Sequence, residues 1–398
     1  MDFSEISKSL TSNIDKNVKK NNGIYFTPPS VIKVNIEYLS SYLKKDIKIL
    51  EPSCGSCEFI NALLKENKSF KITGIENNKQ IYDRVKDLYD KDNVEIIYYD
   101  FLKWLPEEKY DLIIGNPPYF VMNKKSVENE FYQYFDGRPN IFILFIIKCL
   151  KLLKEDGILS FVLPSNFMNC LYYDKTRKYI ENNFTILNIL ECNNDFIETK
   201  QETVIIVLQN KKPTIKSKFI INVSNYSIFA DEIKVSKIKE LYKNSKTLDE
   251  LGFQANVGNI VWNQHKKILT NYTTKTRLIY SANIENNKFV DKDFKNKEKK
   301  KYIQKTGING PLLLLNRGYG VGKYSFNYCL FDEDFNFLVE NHLICIRSKE
   351  KLEKNILIDK YRKLISSFEN EKTKKFIEIY FGNNAINISE LTNIIPFY

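Results

Sequence analysis

Between residues 47 and 209 the chain alternates short β-branched apolar runs with amphipathic stretches at helical spacing. Strands separated in this way by helices pair in parallel, with the helices packed on both faces of one sheet, so the rhythm restricts this half to an α/β architecture. The spacing predicts strands over 47–51, 71–76, 94–99, 111–115, 158–163, 186–190 and 203–208, and helices over 58–65, 80–88, 141–154 and 174–182. Only a short link rich in Asn, Glu and Lys joins the last two strands, which predicts an antiparallel pair at one edge.

The stretch 209–218 is polar and basic and carries Pro213, the composition of a domain boundary. It divides the chain into 1–210 and 211–398, and 398 residues suffice for two separate cores. Charge divides the same way: 27 basic residues face 29 acidic ones before the boundary and 33 face 20 after it, a net +13. A positive field confined to one half suits a polyanion, either nucleic acid or an anionic membrane leaflet. The plainer reading is solubilising filler, since only seven of the 60 basic residues are arginine. The second half is less regular, and the dense charges of 291–301 suit an exposed loop.

The longest apolar run, 141–147, is too short to span a bilayer, and residues 1–20 lack the apolar core of a secretory signal. Seven scattered cysteines suit a reducing compartment. A cytoplasmic protein without membrane insertion is expected. With two histidines and no second Cys-x-x-Cys, no metal site is expected.

The fourth strand runs directly into Asn116-Pro117-Pro118-Tyr119, and in a parallel sheet ligands bind just beyond the carboxyl ends of strands. Asn and Pro favour turns anywhere, but here each residue has a chemical use if the substrate is an exocyclic amine conjugated to a ring. The lone pair of such an amine is delocalised. The Asn116 side-chain oxygen and the Pro117 carbonyl can each accept one N–H and draw the nitrogen toward a tetrahedral form that can attack. Pro117 and Pro118 fix φ and offer carbonyls without competing donors, and Tyr119 supplies a face for the ring, worth ~1–3 kcal/mol for a stacked base.

The first strand ends in Glu51-Pro52-Ser53-Cys54-Gly55-Ser56-Cys57, a small-residue turn that opens a helix and lets a cofactor approach the backbone. Glu76 closes the second strand 21 residues after Gly55, a spacing at which a carboxylate can take ribose hydroxyls. Asp100 and Phe101 close the third, an acceptor and an apolar ring suited to an adenine. A nicotinamide site would require more glycines. A thioredoxin-type reading of Cys54 and Cys57 leaves Asn116 to Tyr119 without a role.

Taken together these residues resemble the gamma class (TaqI type) of S-adenosylmethionine-dependent DNA adenine-N6 methyltransferases, in which cofactor motifs come first, the catalytic motif next and the target-recognition domain last. Tyr25-Phe26-Thr27-Pro28-Pro29 is similar to that class's N-terminal cofactor motif. Residues 140–157 and Leu163-Pro164-Ser165 are similar to the helix and strand that come after its catalytic motif. The likeness extends over nearly the whole chain, through Gly258 to Gln264, 312–318, Asn341-His342-Leu343 and 387–396.

The resemblance implies a Rossmann-like S-adenosylmethionine-dependent methyltransferase domain with a mostly parallel seven-stranded sheet, followed by a mixed α+β DNA-binding domain. It implies that Thr27, Glu51, Ser53, Gly55, Glu76, Asn77, Asp100, Phe101 and Asn116 hold S-adenosylmethionine. It makes Asn116, Pro117, Pro118 and Tyr119 the catalytic motif, with Phe196 as the second aromatic against an extruded adenine. Trp262, Asn263, Gln264, Asn316, Arg317 and Lys323 have the chemistry to contact double-stranded DNA. A monomer with a cognate restriction endonuclease is the implied biological setting. Cys57 stands where the family usually has Gly, and its side chain is expected to crowd the cofactor.

Cytosine-C5 chemistry lacks its Pro-Cys nucleophile in this chain. A protein-glutamine N5 or RNA base methyltransferase shares the amine logic but does not call for the basic second half. A catalytically inactive DNA-specificity subunit has only Cys57 in its favour.

Overall fold

The structure is a computed structural model that describes residues 3–89, 93–192, 196, 202–317, 326–381 and 386–398. The chain forms two compact units, Met1–Val235 and Ser236–Tyr398.

In the first unit, helices α1 (Glu5–Asn13) and α2 (Lys16–Asn22) lead to α3 (Pro29–Leu39), which starts with Pro at its first position, where the missing N–H costs nothing. Then come β1 (Lys48–Glu51), α4 (Glu58–Glu66), β2 (Lys71–Glu76), α5 (Lys79–Val85), β3 (Val94–Tyr98), β4 (Tyr110–Gly115), α6 (Ile141–Leu152), β5 (Leu153–Pro164), α7 (Asp174–Asn183), β6 (Thr185–Glu191) and β7 (Thr203–Gln209). One seven-stranded sheet has the order β3-β2-β1-β4-β5-β7-β6. The first five of these are parallel, while β7 pairs antiparallel with both β5 and β6.

Alternation along each strand feeds two cores. Leu50, Ile113, Leu159 and Ile206 point to the layer of α6 and α7, and Ile49, Leu112, Ile114 and Val162 to the layer of α3 and α4. The predicted elements are all present. The predicted helix over 141–154 ends earlier, because Leu153 is already extended (φ −74°, ψ 139°) and begins β5.

The unit division falls at Val235 rather than at the expected 210/211. The reason is a hairpin, β8 (Ile220–Val223) and β9 (Tyr226–Phe229), that is bonded to α7. The fully buried Arg177 donates Nε–H to the Ser227 carbonyl, and the Ser227 N–H donates to Asp174 Oδ1 at 2.8 Å. Phe219, Ile220 and Phe229 join the core of α6. A polar stretch suggests the earlier boundary, but apolar residues beyond it return to the first core.

Helix α8 (Glu232–Leu241) spans the division. The second unit has a sheet β10-β19-β16-β17, from β10 (Phe253–Val257), β16 (Leu312–Asn316), β17 (Tyr328–Phe331) and β19 (Leu343–Ser348). A second sheet, β11-β15-β12-β18, is formed by β11 (Leu269–Thr270), β12 (Thr276–Ile279), β15 (Tyr302–Ile303) and β18 (Phe337–Val339). A hairpin of β13 (Ile284–Glu285) with β14 (Lys288–Phe289) and helices α9 (Lys354–Glu369), α10 (Glu371–Phe381) and α11 (Ile388–Asn393) complete it. Among the described residues no helix is long and apolar enough to cross a membrane.

Candidate active site

Strand β1 has its successor β2 on one side and β4 on the other, so the crossovers diverge beside it and leave a crevice at the strands' carboxyl ends. A cavity of about 230 Å3 lies there. Its walls are Pro52, Ser53 and Gly55 after β1, Glu76, Asn77 and Asn78 at the end of β2, Tyr99, Asp100 and Phe101 after β3, and Asn116, Pro118 and Phe120 after β4. Residues 22–26 close one side and Ile141 and Phe145 of α6 another. Of the nine residues expected to hold the cofactor, seven line this space. Thr27 and Glu51 stand behind it, at 5% and 2% exposure.

Two buried carboxyls dominate its electrostatics. Glu51 Oε2 has no hydrogen-bond partner, and burial, followed by the nearby Cys57, Glu76 and Glu58, holds its carboxyl well above the usual range. A buried acceptor left open in this way is suited to a cationic amino group. Burial also pushes Glu76 up to about 7, opposed by backbone donors. Its Oε2 accepts the Gly55 N–H at 3.0 Å and its Oε1 the Asn78 N–H at 2.6 Å. Those bonds fix the turn after β1 against the end of β2, with Gly55 at φ +50°.

Asp100 Oδ1 accepts the Leu102 N–H at 3.1 Å and so caps the short turn after β3. Phe101 forms an inner wall, its ring centroid 4.9 Å from that of Phe145. Tyr99, about half exposed, stands at the rim. Sequence reasoning misses it, as it does Gly23 and Phe120, because neither their residue types nor their spacing mark them.

Cys57 does not crowd the cavity. It has φ +64° as the cap of α4, it is fully buried, and it packs with Cys54, Phe59 and Ile60 away from the lining. A left-handed backbone, rather than space for a ligand, is what favours Gly at this place.

The amide of Asn116 is held at both ends. Its Nδ2 donates to the Tyr25 carbonyl at 3.1 Å, and its Oδ1 accepts the Tyr119 hydroxyl. The same hydroxyl lies 2.7 Å from the Val162 carbonyl on β5. Ser53 Oγ donates to the Asn116 carbonyl at 3.2 Å, joining the turn after β1 to the Asn116–Tyr119 motif after β4. Pro117 is buried while Pro118 faces the cavity. The Tyr119 ring is nearly perpendicular to Phe142, with centroids 6.0 Å apart. Phe196 packs at 8% exposure in the other core, with Val162 and Ile205, whereas Tyr119 packs against the core of Phe142.

In the second unit Trp262 is half-buried in a short turn, with the ammonium groups of Lys299 and Lys266 5.1 Å and 5.8 Å from its ring centroid. Asn263 and Gln264 beside it are exposed. Asn316 ends β16 with its Oδ1 buried and unpartnered, and Arg317 comes next, half-buried. Lys323 lies outside the described residues.

Residues 22–197 match the Eco57I restriction-modification methylase family. The type II methyltransferase M.CvrRI of Paramecium bursaria Chlorella virus XZ-6E is 27% identical over 398 residues, covering 99% of each chain. The modification methylase CviBIII of Paramecium bursaria Chlorella virus NC1A is 27% identical over 407 residues, again covering 99% of each. Among solved structures, a DrdV–DNA complex aligns with 96% of this chain and 57% of that chain at a TM-score of 0.55 and 13% identity, a likeness of fold. These matches make the chain similar to restriction-modification DNA methyltransferases.

Proposed function

We propose that the chain is a site-specific DNA methyltransferase that methylates adenine N6 in duplex DNA after rotating the base out of the helix. The observation that carries this reading is that Asn116 and Pro118, from the motif after β4, line the cavity beyond the carboxyl ends of the strands. The residues around that cavity fit S-adenosylmethionine. The open oxygen of Glu51 suits its amino group, Glu76 its ribose hydroxyls, and Asp100 with Phe101 its adenine.

When bound, the cofactor supplies a methyl group on an electron-poor sulfonium. The protein's part is to aim the amine at it. An amide oxygen has two lone pairs, so Asn116 Oδ1 can keep the Tyr119 hydroxyl and still accept one N6–H. The Val162 carbonyl offers that hydroxyl a second acceptor. The Pro117 carbonyl takes the other N6–H, and nitrogen drawn toward a tetrahedral form exposes its lone pair. With the cofactor bound, transfer would need no covalent enzyme intermediate, the demethylated thioether would leave and the surplus N6 proton would pass to solvent, so positioning the amine is the main catalytic contribution of the chain. Extruding the base costs a few kcal/mol, and stacking on Tyr119 returns ~1–3 kcal/mol. Phe196 is packed in the core, so of the two aromatics the reading assigns that stacking to Tyr119.

The basic second unit supports a DNA substrate over a protein one. A cavity of about 540 Å3 in it is lined by Lys297, Lys299, Lys300 and Lys301 against Asp291 and Asp293, an excess of positive charge that suits phosphates, while Trp262, Asn263, Gln264, Asn316, Arg317 and Lys323 carry base-edge and phosphate chemistry. The reading entails a cytoplasmic monomer that protects sites from a cognate restriction endonuclease.

The test is methyl transfer from tritiated S-adenosylmethionine to DNA, RNA and protein in parallel, with the modified nucleoside identified by mass spectrometry. N6-methyladenine in DNA is the expected product. Methylated cytosine overturns the choice of base, and label confined to RNA or protein overturns the substrate.

A further inference from the structure

Glu340 is a buried acid for which the proposed reaction has no use. It comes directly after β18, is 1% exposed, and has its Oε1 2.5 Å from Nδ1 of His342, whose side chain is about half exposed. Its Oε2 has no hydrogen-bond partner. With the carboxylate as acceptor Nδ1 carries the hydrogen, so the acid fixes the ring and leaves Nε2 for something else.

The backbone shows which neighbours share that place. A Cβ on Gly258 would stand 2.2 Å from the Glu340 carbonyl, so only glycine lets this segment approach. The Gly258 N–H donates to the Leu343 carbonyl and the Asn341 N–H to the Ile260 carbonyl, both at 2.9 Å. On the other side Asn316 pairs with Leu343 across β16 and β19. Three stretches distant in sequence therefore meet at one end of the sheet. There Asn316 Oδ1, Asn341 Oδ1 and Glu340 Oε2 are all buried and unpartnered. Unpaired buried acceptors are costly, and three of them on backbone segments that meet at one sheet end mark the place where a ligand's donors would be welcome.

We propose that His342, positioned by Glu340, is a specificity-determining residue that reads a base edge of the DNA next to Asn316 and Asn341. This rests on the proposed DNA substrate and deepens it. A buried carboxylate beside the imidazole and two amide oxygens would repel a phosphate, whereas a base edge presents amino donors and ring acceptors side by side.

The experiment compares the wild-type chain with His342→Ala, Glu340→Gln and Glu340→Ala. Each is expressed in a methylation-deficient host, the modified sites are sequenced, and kcat/KM is measured on duplexes carrying the site or single-base variants of it. His342→Ala, checked against wild type for its melting temperature because it takes a partner from the buried Glu340, lowers discrimination at one base pair by about 10- to 100-fold. The salt dependence of binding is unchanged, since no phosphate contact is lost. Glu340→Gln keeps an acceptor for Nδ1–H and retains most of the discrimination, while Glu340→Ala behaves like His342→Ala. Unchanged site preference in His342→Ala overturns the inference alone, as does a shallower salt dependence, which would make His342 a phosphate contact. A wild-type chain that methylates no DNA overturns the proposed function and this inference together.

Discussion

Gly23 and Tyr119 are packed backbone against backbone: a Cβ on Gly23 would stand 2.4 Å from the Tyr119 nitrogen. Gly23 caps α2 at φ +64°, so a side chain there meets both a strained backbone and an occupied space. The segment just after it supplies the Tyr25 carbonyl that holds the Asn116 amide. The N-terminal segment thus sets the position of the Asn116–Tyr119 motif.

Replacing Gly23 by Ala should displace Tyr119 and, through it, the Asn116 oxygen. A displacement of about 1 Å at a reacting group lowers turnover about 100-fold. Methyl-transfer kinetics should show that fall in kcat, with the melting temperature reporting the cost of a left-handed alanine, about 1–2 kcal/mol. Unaltered kcat would mean that the catalytic motif tolerates the shift.

Asn116→Ala removes the amide oxygen to which the proposed mechanism gives one N6–H. Loss of one such acceptor is expected to lower kcat by about 100- to 1000-fold, while calorimetric binding of S-adenosylhomocysteine and filter binding of DNA persist. Tyr119→Phe keeps the stacking face and removes only the hydroxyl shared by Asn116 and Val162, so its kcat should fall less than that of Asn116→Ala. Near-normal methylation by Asn116→Ala would remove this residue from its role.

Much of the first unit is legible in the sequence because its strands are buried on both faces. Runs such as Leu112-Ile113-Ile114 have no other use, and the residues at the end of β2 and just after β1, β3 and β4 line the crevice. Glu76, Asp100 and Asn116 are found by that logic. Gly23 and Tyr99 are not, because their roles come from a close approach and a rim position that periodicity does not encode. The boundary is misplaced by composition because a polar stretch looks the same whether it ends a domain or merely leads to a hairpin that returns to the core. In the second unit the strands of two to six residues are too short for a period to register.

Burial raises Glu76 to about 7, so between pH 4.5 and 7 the folded chain holds a proton there that the unfolded chain has lost. The stability linked to that proton is fully present below about pH 4.5 and is lost as pH rises through 7, amounting to about 3 kcal/mol. Denaturant titrations should therefore show wild type losing stability relative to Glu76→Gln across this window. In the opposite sense, an ionised Glu76 is the better acceptor for ribose hydroxyls. Affinity for S-adenosylhomocysteine should rise from pH 6 to pH 8 in wild type more than in Glu76→Gln, with the Glu51 carboxyl common to both. Parallel profiles for the two proteins would dissociate Glu76 from the cofactor.

The basic excess of the second half predicts how DNA affinity responds to salt. Each phosphate neutralised by a lysine releases condensed counterions, so log K falls with log salt at a slope of about −0.9 per contact. Lys297 and Lys300 line the cavity of the second unit without an ion pair among the described residues, whereas Lys301 lies 3.0 Å from Asp291 and 2.8 Å from Asp293 and Lys266 2.7 Å from Glu298. A cation already held by a carboxylate gives up that partner on meeting a phosphate, so the two groups should differ. Lys297→Gln and Lys300→Gln are each expected to make the slope shallower by about one, uniformly across DNA sequences, and Lys301→Gln by less. Affinity measured between 50 and 200 mM salt on specific and random duplexes separates these outcomes. If wild-type binding does not weaken with salt, the surplus lysines serve solubility alone, and the second unit holds DNA through other groups.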